Sequence, residues 1–165
     1  MFQIHCKDLV WVPDISDNPG GLCLHGTVTV VIGNEAMEDE GAVSSTAVYL
    51  LKTLTENHTA GKGEYMIPCS GHLLMPNGAL TEVVISGCAF GIDWTVEQIS
   101  GGVMLTTASG GETFVPMDAY RAEIYRFADT VEAFYRDWAP ENIYQNCIHR
   151  NDIAFWNEWH RRRGE

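Results

Sequence analysis

At 165 residues and 18.3 kDa, the chain has the length of a single domain, 1–165, large enough to bury a core without staples. Its 45% apolar and 10% aromatic content argues against disorder, and no apolar run reaches the roughly eighteen residues that a membrane helix needs. Twenty-two acids against ten lysines and arginines leave a net charge of −12, which opposes nucleic acid and anionic lipid as partners and favours a basic one.

Phe2 to Val12 reads as a strand, and Pro13 to Gly21 as a polar connection rich in chain-breaking residues. Leu24 to Ile32 is a second strand, with Thr27 and Thr29 on one side and Val28 and Val30 on the other. Four acids between Glu35 and Glu40 predict a solvated loop. From Ser44 or Ser45, both natural N-caps, the pattern turns helical as far as His58, with Val48, Leu51, Leu54 and His58 along one stripe.

Glu64 to Trp94 predicts two apolar strands joined at Asn77-Gly78, a two-residue hairpin signal that would set Cys69 opposite about Ser86. Trp94–Ile99, Val103–Thr107 and Glu112–Val115 continue as an antiparallel meander, separated by Gly101-Gly102 and by Ser109-Gly110-Gly111. Pro116 and Asp118 open a helix whose Tyr120, Ile124, Phe127, Val131, Phe134 and Trp138 step by four and three, until Pro140 stops it. Asn151 or Asp152 starts a last helix with Phe155, Trp156 and Trp159 inward and three arginines at its end. The fold class is α+β: a single antiparallel sheet of about six strands packed by two to three helices.

Five widely spaced cysteines without a Cys-x-x-Cys, in a chain whose first residues lack a signal-peptide layout, predict reduced thiols and a cytoplasmic location. Cys69 and His72, with Cys88 on the neighbouring strand and Asp93 or His58 nearby, offer a candidate metal set or a thiol nucleophile with a base. The blander reading makes the cysteines small core residues and His72 a turn cap. Gly101-Gly102 and Gly110-Gly111 precede no helix in a phosphate-binding pattern, so they are read as turns. Arg161, Arg162 and Arg163, beside Trp156 and Trp159, are read as helix-end solvation or internal ion pairing rather than as a base-stacking site.

What remains is the acid surface. The acids at Asp14/Asp17, at Glu35–Glu40 and at Asp137/Glu141 would give one negative face, and Asp14, Asp17, Glu35, Glu38, Asp39 and Glu40 are the candidates for contact with a basic partner, because such faces capture oppositely charged proteins quickly. In size, acidity and lack of a catalytic motif the chain resembles the small immunity proteins of bacterial toxin systems, including contact-dependent inhibition. Phe127-Ala-Asp-Thr-Val-Glu-Ala-Phe-Tyr135 and Phe155-Trp-Asn-Glu-Trp159 resemble segments of uncharacterised bacterial proteins. The first resemblance implies a cytoplasmic inhibitor that occludes a cognate toxin domain without a cofactor. The alternatives are a small metal- or thiol-dependent hydrolase built on Cys69, His72, Cys88 and Asp93, and a non-catalytic subunit of a larger assembly.

Overall fold

The computed structural model describes residues 1–11, 24–69, 73–86, 89–138 and 150–164. The first strand, β1 (Phe2–Trp11), pairs antiparallel with β2 (Leu24–Ile32), which pairs in turn with β3 (Glu35–Ala42). Strict alternation along β2 puts Leu24, Val28, Val30 and Ile32 in the core and leaves Thr27 and Thr29 half-buried on the other face, as the sequence pattern predicts. Asp8, with φ of 55°, marks a bulge in β1 between Lys7 and Val10.

The acids of residues 35–40 lie in a strand, not in a loop. Pairing with β2 over its whole length holds β3 extended despite its unfavourable composition, since tertiary pairing overrides a weak strand propensity. Strand alternation then divides the acids. Glu38 and Glu40 share a face with Thr29 and Thr27, and Glu35 and Asp39 face the opposite way.

At Ala42 the chain enters α1 (Val43–Lys52) directly, so Ser44 and Ser45 sit inside the first turn and Ala42 takes the N-cap position without a side-chain cap. Every residue from Val43 to Leu51 is buried, which makes α1 the central helix of the molecule. It is shorter than the pattern predicts. Thr53 turns its hydroxyl back to the Leu50 carbonyl, and Leu54 and His58 reach the core from the turns that follow.

A single six-stranded sheet does not form. Among the described residues four small antiparallel sheets do: β1-β2-β3, β8-β9-β10, and the two-stranded pairs β4-β7 and β5-β6. Here β4 is Ile67–Pro68, β5 Leu73–Pro76, β6 Val83–Ser86, β7 Gly91–Ile92, β8 Thr95–Ile99, β9 Gly102–Thr106 and β10 Glu112–Pro116. The overall α+β class holds.

The hairpin β5-β6 differs in register from the two-residue turn expected at Asn77-Gly78. Leu73 pairs with Ser86 and Pro76 with Val83, so six residues form the loop. Asn77 organises it. Its side-chain oxygen accepts from the Thr81 amide at 2.9 Å, its amide group donates to Thr81 Oγ1 at 2.9 Å, and its backbone accepts from Leu80 N–H at 3.1 Å. The left-handed conformation falls on Leu80, with φ of 57°, and not on Gly78.

Two further helices complete the core. In α2 (Met117–Trp138), Tyr120, Ile124, Phe127, Val131 and Tyr135 are buried and Phe134 is partly so, close to the predicted stripe. The Tyr120 hydroxyl meets Thr53 Oγ1 at 2.7 Å and its ring packs on Phe2, joining α2 to α1 and to β1. In α3 (Arg150–Arg163), Phe155, Trp156 and Trp159 pack inward with Tyr135 in an aromatic cluster. Along the margin of β1, Glu123 of α2 accepts from the Ile4 amide and Arg126 of α2 donates to the Ile4 carbonyl at 2.8 Å, while the two side chains pair with each other. Among the described residues no helix is long and apolar enough to cross a membrane.

Candidate binding surface

Of the described acids named from the sequence, Glu35 and Glu38 accept hydrogen bonds from neighbouring side chains, while Asp39 and Glu40 stand exposed. Glu35 Oε1 accepts from Ser109 Oγ at 2.6 Å and from Thr107 Oγ1 at 2.8 Å, so it clasps the β9-β10 turn. Those two hydrogen bonds, Ser109 first, hold its carboxyl below the usual carboxylate range. Glu38 accepts from Thr29 Oγ1 at 2.6 Å and pairs with Lys7 at 3.4 Å, and the Thr29 bond is the larger cause of its lowered pKa. Asp39 accepts from the Glu40 amide at 2.9 Å, and both remain exposed. Asp14, Asp17 and Glu141 lie outside the described residues.

Basic side chains, by contrast, are mostly engaged within the chain. Lys7, Lys52, Arg121, Arg126, Arg136, Arg161, Arg162 and Arg163 each lie within ion-pair distance of a carboxylate. Eight of the ten lysines and arginines thus have a carboxylate beside them, and Asp8, Asp39, Glu40, Glu64, Glu97 and Glu112 make no ion pair among the described residues. The three terminal arginines are internal partners, as expected: Arg161 to Glu82 at 2.8 Å, Arg162 to Glu56 at 2.6 Å and Arg163 to Asp129 at 2.6 Å. Arg162 and Arg163 have little exposed side chain, whereas the Arg161–Glu82 pair lies at the surface.

Glu158 sits at the centre of the most buried of these networks. It is fully buried, pairs with Arg162 Nε at 2.8 Å and with Lys52 at 3.5 Å, and accepts the Val83 amide at 2.7 Å. Lys52 also donates to the Val83 carbonyl at 2.9 Å. Each charge meets partners that offset its desolvation, and α1, β6 and α3 are tied at one point. The sequence carries no signal for this, because the three elements are remote along the chain.

Of the hydrolase candidates, Asp93 and His58 come together and Cys69 is changed in kind. His58 Nε2 meets Asp93 Oδ1 at 2.7 Å, and Asp93 also accepts from the amides of Gly61, Met66 and Trp94 at 2.9, 3.3 and 3.0 Å. His58 is held in turn by backbone bonds to and from Val96, both at 2.9 Å. With its oxygens so occupied, Asp93 works as a splint between the 59–66 segment and β8. Cys69 is disulfide-bonded, which corrects the expectation of reduced thiols: in this state it offers neither a thiolate ligand nor a nucleophile. His72 and Cys88 lie outside the described residues. Among the described residues no three His, Cys, Asp or Glu side chains gather in a metal-binding arrangement.

Cys6 is a free thiol, half-buried on β1, and burial pushes its pKa up to about 11. Burial likewise raises the Tyr49 hydroxyl well above its ordinary value, with Glu64 and Asp93 adding to the effect. No family model, curated protein or solved structure matches the chain.

Proposed function

We propose that this chain is an acidic binding protein of the immunity type, which neutralises a basic cognate toxin domain by occluding it and uses no cofactor. The observation that supports the reading most is the distribution of charge. Eight of the ten lysines and arginines lie beside a carboxylate of the fold while Asp39, Glu40, Glu97 and Glu112 stand exposed without ion pairs among the described residues, in a chain whose net charge is −12. Such a surface accelerates encounter with a basic protein and repels nucleic acid. On β3, Asp39 and Glu40 are the contacts best placed for steering, whereas Glu35 and Glu38 are held by hydrogen bonds within the fold.

The hydrolase alternative keeps less support, since Cys69 is in a disulfide and Asp93 is saturated with internal donors. A cytoplasmic setting belongs to the proposal. It carries a condition, because a reducing compartment disfavours the Cys69 disulfide.

A tagged pull-down from the native cell at low and at high salt, read by mass spectrometry, tests the reading. The expected result is one basic protein, held at low salt and released by salt, whose toxicity is abolished when the two are co-expressed. Recovery of the chain alone, or of a partner whose toxicity is unaffected, counts against it. D39N/E40Q is expected to slow association and flatten its salt dependence, with dissociation little changed.

A further inference from the structure

One face of the sheet β8-β9-β10 packs Val96, Val103, Leu105 and Val115 into the core. The opposite face stays in solvent and is not uniformly polar. Phe114, 47% exposed, stands directly across from Met104 on β9, and Ile99, 37% exposed, stands across from Gly102. A Cβ on Gly102 would meet Phe114 Cε2 at 2.9 Å, so the phenyl ring reaches over the space the glycine leaves open. An aromatic ring with two rotatable bonds loses less conformational entropy as an anchor than a long flexible side chain would.

Acids border this platform on both outer strands. Glu97 on β8 is the cross-strand partner of Met104, and Glu112 on β10 lies two residues from Phe114. Both are exposed and neither makes an ion pair among the described residues. From Thr95 to Pro116 the chain contains no lysine or arginine. Glu35 binds the β9-β10 turn, so the acid strand β3 begins beside the same sheet.

We propose that this outer face is where the basic partner docks: an apolar side chain of the partner seats on Phe114, Met104 and Ile99, and surrounding lysines or arginines meet Glu97 and Glu112. The inference rests on the inhibitor reading and adds the surface. Charge complementarity selects the occupant. A second copy of this chain would bring two acid rims face to face, and like charges in register oppose that pairing. A basic protein gains from both parts: the acids steer it, and the desolvated apolar centre slows its departure.

The test places benzoylphenylalanine at position 114, and separately at position 75, where Met75 is a comparably exposed residue on β5. Irradiated in the native cell, the 114 form is expected to cross-link one basic protein and the 75 form to leave it unlinked. That protein, purified, is then titrated with wild type, F114S and E97Q/E112Q. F114S is expected to weaken binding by about tenfold or more, and E97Q/E112Q to slow association in a salt-dependent way. A thermal melt checks that each variant is folded; should F114S melt early, E97K/E112K takes its place, with a loss of about tenfold or more expected. Equal affinity of a folded F114S, or of E97K/E112K in its place, moves the interface elsewhere while leaving the inhibitor function standing. Cross-linking of the chain to itself also overturns this docking face. Failure of the pull-down to yield any basic partner removes the function and the face together.

Discussion

Asp93 and His58, 35 residues apart, are joined by a 2.7 Å hydrogen bond from Nε2 to Oδ1, and both side chains are nearly buried. The same carboxylate gathers three backbone amides, so one side chain satisfies donors from the turn after α1, from the approach to β4 and from the start of β8. This is a structural role for a residue type that invites a catalytic one.

Removing that carboxylate leaves buried donors unmatched. D93A is expected to cost about 3 kcal/mol of stability, and D93N about half of that, since the amide keeps one acceptor. Urea denaturation measures the loss. Hydrogen exchange should localise it, with the Gly61 and Met66 amides exchanging faster while those of β2 keep their protection relative to global unfolding.

Glu158 should be the most sensitive acid in the chain. In E158A, Lys52 and Arg162 lose a buried counter-ion and the Val83 amide loses its acceptor, at an expected cost of about 3–5 kcal/mol. The triple change K52M/E158L/R162M removes the charges together and is expected to recover most of that loss. A chemical melt of the three proteins decides: if E158A unfolds at the wild-type denaturant concentration, the network contributes nothing to stability.

Glu35 gives a pH dependence whose sign can be worked out. Its folded-state carboxyl lies below the ordinary value of 4.5, so the folded chain binds fewer protons than the unfolded chain in the interval between the two. The stabilisation is therefore complete above 4.5 and is lost as pH falls through the folded value. Wild type is expected to melt above E35Q at neutral pH, and the gap should narrow as the pH drops below 4.5. A gap that stays constant to pH 3 would mean that the clasp on Thr107 and Ser109 adds nothing through its charge.

The cysteines answer to different reagents. Because burial raises the Cys6 thiol to about 11, iodoacetamide at pH 8 is expected to modify it slowly in the folded chain and fast in urea. Cys69 should resist alkylation until a reductant opens its disulfide. Acid-quenched thiol trapping from the native cell then reports the compartment: a reduced Cys69 agrees with the cytoplasm, and an oxidised one with an oxidising environment.

How much of this was legible in the sequence depended on whether the signal was local. The α2 register is readable because Tyr120, Ile124, Phe127 and Val131 repeat on the helical period, and β8 to β10 are readable because glycine turns bound them. The Asn77-Gly78 turn misleads because the Asn77 side chain stabilises a wider loop around Thr81, and dipeptide preference does not report that bond. The division into four sheets is invisible for the same reason that the Asp93–His58 contact is: strand runs say where extended chain occurs, not which runs pair. The acids of β3 predict a loop because glutamate and aspartate are poor strand formers, and the pairing of β3 with β2, as of Ala36 with Val31 and Glu38 with Thr29, overrules them. Phe114 escaped notice as a candidate contact. Its place over Gly102 needs the cross-strand register, although alternation within Glu112–Pro116 already sets it opposite to Val115.

The charged pair Glu123 and Arg126 at the margin of β1 has an effect beyond its hydrogen bonds. Unmatched amides and carbonyls along a terminal strand are a template on which another chain, native or misfolded, can lay down a strand of its own. Here a helix supplies an acceptor and a donor to Ile4, imitating at that residue the neighbour the sheet lacks. Growth of the sheet from that side is impeded at Ile4. The fold thus guards its own first strand against aggregation at the residue where a new strand would first pair.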